Sequence, residues 1–466
     1  MTSESPSLGN IDIEAYILNE YIPAKPLDGN LEVHFSDSEL APTEACAQLR
    51  CGELLKFPFV RPGCQPRAVA IRKSDVLVPD DEATATKRVV ELTLDSPDLF
   101  EFQPGDTIAV LPSNDGKLVD EFLDRLELVS KADTMCSVKL ALKCAKKSAK
   151  VPAHIPQTTS PREILTHCLA LNAVPQKQFL SALAGFTDNE KERSFLACLS
   201  SKQAASSYSE LVLERGLRFL NILELCATCR PSLAFLVEHL PRLLPRPYSL
   251  SNSPLASGPQ ELQIIYSILK YKPGVTTSML ESKAQKVENG EPTEVVIYPR
   301  LSNNFRYTED DLSSNQILIA VGTGVAPFLG FLSHKEQLIS QQSPREIGKT
   351  WLYLSAKTTR ATLNLDQLLV WQLTSVLERL RMCQSRGESP CYVQQLLEED
   401  SEELVALLLQ PNTVLYVCAD GAKISQSIAG GLIKCLQTAL QLSEEEAAQK
   451  LKELRAQGKY REDVWL

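Results

Sequence analysis

Gln316-Ile-Leu-Ile-Ala-Val-Gly-Thr-Gly-Val-Ala-Pro-Phe328 sets the architecture of the second half of this chain. Residues 317–321 are a continuous apolar run of strand-forming types, as expected of a strand buried on both faces. Gly322-Thr-Gly-Val-Ala-Pro327 follows at once, and Phe328-Leu-Gly-Phe-Leu332 then begins a helical pattern. Gly-Thr-Gly by itself is common in ordinary turns. Between a buried strand and a helix it reads as a nucleotide loop: Gly322 and Gly324 let the backbone approach a phosphate, Thr323 adds a hydroxyl, and the helix start supplies unpaired N–H groups. Pro327 fits the first helical turn, where no N–H bond is lost.

Downstream, strand and helix alternate. Thr350-Trp-Leu-Tyr-Leu354 and Val414-Leu-Tyr-Val-Cys418 read as strands. Phe328–Gln337, Leu365–Leu380 and Ile424–Leu440 read as helices. That alternation predicts a doubly wound parallel sheet over residues 301–466. Ser443-Glu-Glu-Glu446 is a capping box whose helix stops near Gly458, and the chain ends Tyr460-Arg-Glu-Asp-Val-Trp-Leu466.

Upstream the period is different. Order begins near Phe57-Pro-Phe-Val60. Lys87-Arg-Val-Val-Glu-Leu-Thr-Leu94 and Thr107–Leu111 read as strands, the second entered through a Pro104-Gly105 turn. Arg246-Pro-Tyr-Ser249, Glu261–Tyr266 and Val295-Val-Ile-Tyr298 continue the set, and Lys272–Leu280 is a glycine turn feeding a short helix. Closely spaced strands predict an antiparallel β-barrel over 56–300. A helical insert at about 118–240 interrupts it. Val119, Phe122, Leu123 and Leu126 form one helix face, Ser160-Pro-Arg-Glu163 starts another helix, and Leu233, Leu236, Val237 and Leu240 form a further stripe. Residues 1–55 are polar and mixed. Ile11, Ile13 and Leu18 could pack, but a linker or loosely attached arm is expected there. The fold class is thus α+β followed by α/β.

The 466 residues allow two or three domains, and the net charge of −10 with no long basic run excludes nucleic acid as the main partner. The 13 cysteines are scattered, and none of their spacings reads as a zinc site, so no metal is expected. Free thiols, no basic-then-apolar leader and no apolar run of membrane length point to a cytoplasmic protein.

Several short groups carry chemistry. Arg246, Tyr248 and Ser249 put a cation, an aromatic plate and a hydroxyl within four residues. On a strand, Arg246 and Tyr248 face one side and Ser249 the other. Gly274-Val-Thr-Thr277 offers backbone N–H groups at a helix start, which suits a pyrophosphate. Ser385-Arg386, ahead of Tyr392-Val-Gln394, could hold a phosphate monoester, although a Ser–Arg pair alone is usually a solvated loop. Cys418-Ala-Asp420 follows a strand of the second sheet, where such sheets bind their ligands. Trp465 alone reads as a packing anchor.

Arg-x-Tyr-Ser, Gly-Val-x-Thr, Gly-Thr-Gly-Val-Ala-Pro-Phe, Tyr-Val-Cys-x-Asp and a terminal Asp-Val-Trp, in that order, resemble the ferredoxin–NADP reductase family. The helical insert ahead of Arg246 narrows the resemblance to its diflavin reductase branch. The likeness covers about residues 56–466 and runs through Ala153-His-Ile-Pro156, Ser201-Lys-Gln-Ala-Ala205, Val237–Ser249 and Phe328–Glu336. It implies a barrel domain holding FAD and a sheet domain holding NADPH. Hydride would pass from NADPH to FAD, and electrons onward to a protein acceptor. By this resemblance Arg246, Gly274, Val275, Thr276 and Thr277 hold the FAD pyrophosphate, and Tyr248 and Ser249 meet the isoalloxazine. Ser249, Cys418 and Asp463 line the hydride-transfer site, and Trp465 covers the flavin face. Gly322, Thr323 and Gly324 meet the NADPH pyrophosphate, Asp420 belongs to the sheet-end loop after Cys418, and Lys357, Ser385, Arg386, Tyr392 and Gln394 hold the 2′-phosphate end.

The sequence departs from the family pattern in three places. The second nucleotide loop, usually Gly-Cys-Arg, is Ser355-Ala-Lys357, which keeps the charge but loses the planar fork. Cys-Gly-Asp becomes Cys418-Ala-Asp420, which adds a methyl where the nicotinamide is expected. A basic residue two before Tyr392 becomes Pro390. These changes motivate a second reading, a catalytically weak module that holds a nucleotide or a partner. Diflavin reductases also carry an FMN domain of about 150 residues ahead of the barrel, where about 55 residues stand here. A separate flavodoxin-like or other one-electron acceptor protein is therefore expected to dock, with methionine synthase among the candidate acceptors, or the acceptor differs from that cobalamin enzyme.

Overall fold

The structure, a computed structural model, describes residues 11–39, 60–80, 88–95, 101–142, 144, 148–269, 274–301, 303–341, 346–386 and 389–465, without the side chains of 37–39, 420, 422 and 465. The start of the expected arm (1–10), the stretch 40–59, Lys87 and the turn at Lys272-Pro273 lie outside the described residues. Two compact units form: Met1–Phe57 with Pro112–Leu244, and Pro58–Leu111 with Pro245–Leu466.

The first unit is mainly helical. Asp115 caps the helix Gly116–Arg125 by accepting from the Lys117 and Leu118 N–H groups, and that helix buries Val119, Phe122 and Leu123. Ser160 likewise accepts from the Glu163 N–H, with Pro161 in the first turn. Phe179, Phe219 and Phe235 meet in the centre of its core at ring separations of 5.3 and 5.6 Å. The expectation of a loose arm over 1–55 is corrected for the described part. Leu31–Glu39 pairs antiparallel with Thr134–Leu140, and Ile11, Ile13, Tyr16 and Ile17 pack on the helical core. The Asn30 side-chain amide and backbone N–H both donate to Glu238, each at 2.6 Å. Leu18 stays 38% exposed. The strand partner lies about a hundred residues downstream, so nothing local in the sequence marked it.

The second unit contains both sheets. The antiparallel sheet has six strands in the order Arg246–Ser249, Thr107–Val110, Glu294–Pro299, Arg67–Val78, Arg88–Asp95 and Glu261–Ile268. A bridge between Leu250 and Ile264 joins its two outer strands, so the sheet closes into a barrel. Its interior is filled by Val90, Leu92, Ile108, Val110, Ile264 and Ile297, plugged by Leu280 and Ala284 of the helix Val275–Glu288. This helix is longer than the short one expected from 272–280.

The parallel sheet has five strands in the order Arg379–Gln384, Thr350–Ala356, Asn315–Val321, Thr413–Asp420 and Tyr460–Trp465. Its inner strands alternate between two cores. Leu318, Ala320, Leu352, Leu354, Tyr416 and Cys418 face the helix Ala326–Gln341 and Trp371. Ile317, Ile319, Trp351, Tyr353, Leu415 and Val417 face the helices Val393–Glu399, Ser401–Leu408 and Ala422–Leu440. A period of two with both faces covered explains the unbroken apolar runs. The chain starts at the centre, moves to one edge, then returns to the other side, so the order reverses between Asn315–Val321 and Thr413–Asp420.

One helix expectation needs correction. Leu365–Leu380 is not one helix: it ends at Leu373, and Ser375 adopts a φ of 60°, after which Arg379–Gln384 forms an edge strand. The apolar residues Leu377 and Leu380 extended the helical stripe, but a left-handed residue cannot continue a helix. Tyr460–Trp465 is a further strand that periodicity did not mark.

Candidate functional site

The reversal of strand order leaves a crevice at the carboxyl ends of the two central strands, where open parallel sheets bind ligands. Gly322, Thr323 and Gly324 form a single tight turn between one of these strands and the helix Ala326–Gln341. A Cβ on Gly324 would lie 2.1 Å from the Cys418 carbonyl oxygen and 2.8 Å from its carbon. The loop therefore rests directly on the end of the neighbouring strand. Gly322 adopts a φ of 59°, and a Cβ there would meet nothing within 4 Å, so this side of the loop is open.

Cys418 sits on that neighbouring strand in register with Asp463 on the edge strand. Both side chains are on the sheet face that looks toward the barrel. The Ser249 hydroxyl, at the end of a barrel strand, donates to Asp463 Oδ2 at 2.5 Å. Three expected residues separated widely in sequence thus meet. Burial pushes the Asp463 carboxyl above its ordinary range, while the Ser249 hydrogen bond and the Arg300 charge pull it back. Burial and the nearby Asp463 push the fully buried Cys418 thiol well up, so it stands as a neutral S–H group.

Tyr248, one residue before Ser249, packs against the barrel core on the opposite side of its strand. Its hydroxyl is buried with no hydrogen-bond partner among the described residues, and burial raises its pKa. Arg246 shares that strand, paired with Val110. Gly274 caps the helix Val275–Glu288, so the N–H groups of Val275, Thr276 and Thr277 lie in a first turn that has no intrahelical acceptor. The Thr277 hydroxyl donates back to the Gly274 carbonyl at 3.0 Å.

At the same carboxyl end, toward the edge strand Arg379–Gln384, a second cluster forms. The Ser385 N–H donates to the Ala356 carbonyl at 2.9 Å, and the Arg386 N–H to the Lys357 carbonyl at 3.0 Å. Lys357, Ser385 and Arg386 therefore leave the ends of two adjacent strands together. Cys391 N–H bonds Gln384 O at 2.8 Å and brings the exposed Tyr392 alongside. Gln394 is turned away: its side-chain amide donates to Ser427 Oγ at 3.2 Å on the helix Ala422–Leu440. Asp420 pairs with Trp465 through the backbone, while both side chains lie outside the described residues.

Two of the departures acquire a place. Ser355 and Ala356 are buried inside their strand, so only Lys357 of that triplet emerges. The Ala419 methyl is fully buried in the core on the face opposite Cys418. It does not enter the crevice, because successive residues of a strand face opposite sides. One contributor was missed from the sequence. Arg300 acts on Asp463 from the end of a barrel strand, and a lone arginine after Tyr298-Pro299 carries no local signal of that.

Comparison with known proteins adds independent weight. Residues 65–279 match the family model described as an FAD binding domain. Methionine synthase reductase of Mus musculus is 33% identical over 474 residues, which cover 95% of this chain and 66% of that protein. The Homo sapiens protein of the same name is 32% identical over 426 residues, covering 85% of this chain and 60% of that protein. NADPH–cytochrome P450 reductase of Drosophila melanogaster is 28% identical over 387 residues, covering 81% and 55%. The chain thus spans less than two thirds of the length of these relatives. Barrel, insert, doubly wound sheet and these matches agree: the chain belongs to the diflavin reductase branch of the ferredoxin–NADP reductase family.

Proposed function

We propose that this protein is an FAD-dependent NADPH oxidoreductase that passes electrons to a protein acceptor. The carrying observation is the meeting of Ser249, Asp463 and Cys418 where the barrel adjoins the carboxyl end of the parallel sheet. The residues present fit the two cofactors. The orphaned Tyr248 hydroxyl and the half-exposed strand around it suit a planar polar ring. The open side of Gly322 and the first turn after Gly274 suit pyrophosphates. FAD, when bound, accepts a hydride from a nicotinamide and releases electrons singly.

The chain's own residues bind and orient. Arg246, Gly274, Val275, Thr276 and Thr277 hold the FAD pyrophosphate, while Tyr248 and Trp465 bracket the ring. Gly322, Thr323 and Gly324 hold the NADPH pyrophosphate, and Asp420 contributes from the end of the neighbouring strand. Lys357, Ser385 and Arg386 grip the 2′-phosphate, with Tyr392 beside them. Ser249 and Asp463 fix the nicotinamide against the flavin and stabilise the positive charge that develops on it. The neutral Cys418 thiol packs against the ring without competing as a nucleophile. The acceptor is a separate flavodoxin-like or other one-electron carrier, or methionine synthase, in a reducing cytoplasm. No helix among the described residues is long and apolar enough to cross a membrane.

The test is anaerobic. Purified protein is expected to be yellow, or to become so with added FAD, and to bleach with NADPH. Colourless protein that takes up no FAD overturns the proposal. Lys357 in place of the forked arginine keeps a weak nucleotide-binding module as the second reading. Stopped-flow flavin reduction that Cys418→Ala slows markedly rules it out.

A further inference from the structure

The 2.5 Å contact between Ser249 and Asp463 joins a barrel strand to an edge strand of the other sheet, and something must hold the two at that separation. Asp106 is the anchor on the barrel side. It precedes Thr107, the antiparallel partner of Ser249, and its carbonyl accepts from the Leu250 N–H at 2.9 Å. Its carboxylate is almost wholly buried, with the side chain 2% exposed, and receives Arg306 through two parallel bonds of 2.7 Å. Arg61 adds a third bond at 3.0 Å. A two-pronged guanidinium contact fixes orientation as well as distance.

Arg306 lies in the connection between barrel and parallel sheet, and its carbonyl accepts from the Tyr416 hydroxyl at 3.0 Å. That hydroxyl in turn accepts from Arg461 at 2.9 Å, and Arg461 also donates to the Asn304 carbonyl at 2.7 Å. Tyr416 and Arg461 are register partners, and the next pair on the same face is Cys418 with Asp463. The bonded run therefore ends one rung below the proposed hydride-transfer site on the sheet side and one residue before the partner of Ser249 on the barrel side.

We infer that Asp106, Arg306, Tyr416 and Arg461 are positioning residues that set the separation of Ser249 from Asp463 and Cys418, and so the approach of nicotinamide to flavin. The inference rests on the reductase reading given above. Tyr416→Phe is the cleanest probe, because the ring keeps its edge contacts with Phe305 and Phe331 at 5.3 and 5.2 Å and loses only the hydroxyl. Arg306→Lys keeps the charge and loses the fork.

Two readouts apply to the full chain. In crystals grown without FAD, the Tyr416→Phe variant is expected to show Ser249 and Asp463 beyond hydrogen-bonding reach. In the FAD-loaded protein, single-turnover reduction by NADPH is expected to slow by about tenfold or more, with NADP⁺ and FAD affinities unchanged, since small misplacements of reacting groups cost rate steeply. Arg306→Lys is expected to follow. A lowered melting temperature with both readouts at wild-type values means a merely structural role and overturns the inference. The crystallographic readout needs no cofactor. A wild-type chain that binds FAD but is never reduced overturns the reductase reading, whereas an unchanged Ser249–Asp463 contact in the variant overturns the network.

Discussion

Gly324→Ala is the substitution whose cost the structure states most directly. The added Cβ would stand 2.1 Å from the Cys418 oxygen, 2.8 Å from its carbon and 3.3 Å from the Ala419 nitrogen. All three are backbone atoms near the end of an inner strand of the five-stranded sheet, so no rotamer change relieves the contact. Nonbonded atoms at rest sit about 3.5 Å apart, so loop and strand end must separate by roughly 1 Å. Overpacking on that scale costs about 1–3 kcal/mol, and the melting temperature should fall by about 5 °C. The displaced parts are the proposed pyrophosphate loop and the strand end that carries Cys418 at the proposed nicotinamide site. NADP⁺ affinity, measured by calorimetry, is therefore expected to weaken by about tenfold or more, an order of magnitude set by the loss of one or two charge-assisted bonds. FAD affinity should not change. Gly322→Ala is the control for the melting temperature only, since its methyl would enter the side proposed for the pyrophosphate. It faces open space, and its φ of 59° costs only about 1 kcal/mol of local strain. If Gly324→Ala binds NADP⁺ as the wild type does and melts at the same temperature, the close-approach argument is wrong.

Arg386→Ala combined with Ser385→Ala should raise the KM for NADPH by about tenfold or more, through lost charge-assisted bonds, and leave that for NADH unchanged. An equal effect on both nucleotides would remove these residues from the 2′-phosphate. Asp463→Asn should slow flavin reduction while stabilising the fold near neutral pH. Burial raises this carboxyl above its ordinary 3.8. Its contribution to stability is therefore complete below that value and is lost as pH rises through the folded value. The stability gap between variant and wild type in urea should widen in the variant's favour as pH rises above 3.8, and a gap independent of pH would contradict this. Lys335 is 2% exposed and donates to the Gly348 carbonyl at 2.8 Å and Thr350 Oγ at 2.7 Å. Burial lowers its pKa from 10.5 to about 8, with Glu378 partly opposing. A lowered lysine costs stability while protonated, so wild-type stability should gain as pH climbs through that interval, by at most about 3 kcal/mol. Lys335→Met should lack that gain in alkaline urea titrations, and parallel curves for the two proteins would refute it.

Much of the fold could be read from local pattern. The apolar run 317–321, the loop after it, the capping box at Ser443 and the N-cap at Ser160 each depend on neighbours within four residues, and each is found in place. The sequence also displayed the chemical groups of the site, because hydroxyls, thiols and guanidinium groups are visible as letters. It was silent where partners are remote. Ser249 and Asp463 are 214 positions apart, and their contact exists only because a barrel strand and an edge strand end together. The same holds for the strand Arg379–Gln384, hidden inside a helical stripe until Ser375 turned the chain. It holds for residues 11–39, whose packing partners begin about a hundred residues later. The side on which the Ala419 methyl falls also depended on strand register. Sequence alone thus determined the strands, turns and helix starts that local pattern marks, since backbone propensity and burial period act over a few residues. Only the tertiary structure decided which strand ends meet, because pairing between distant segments is selected by packing of the whole core and leaves no trace in any one of them.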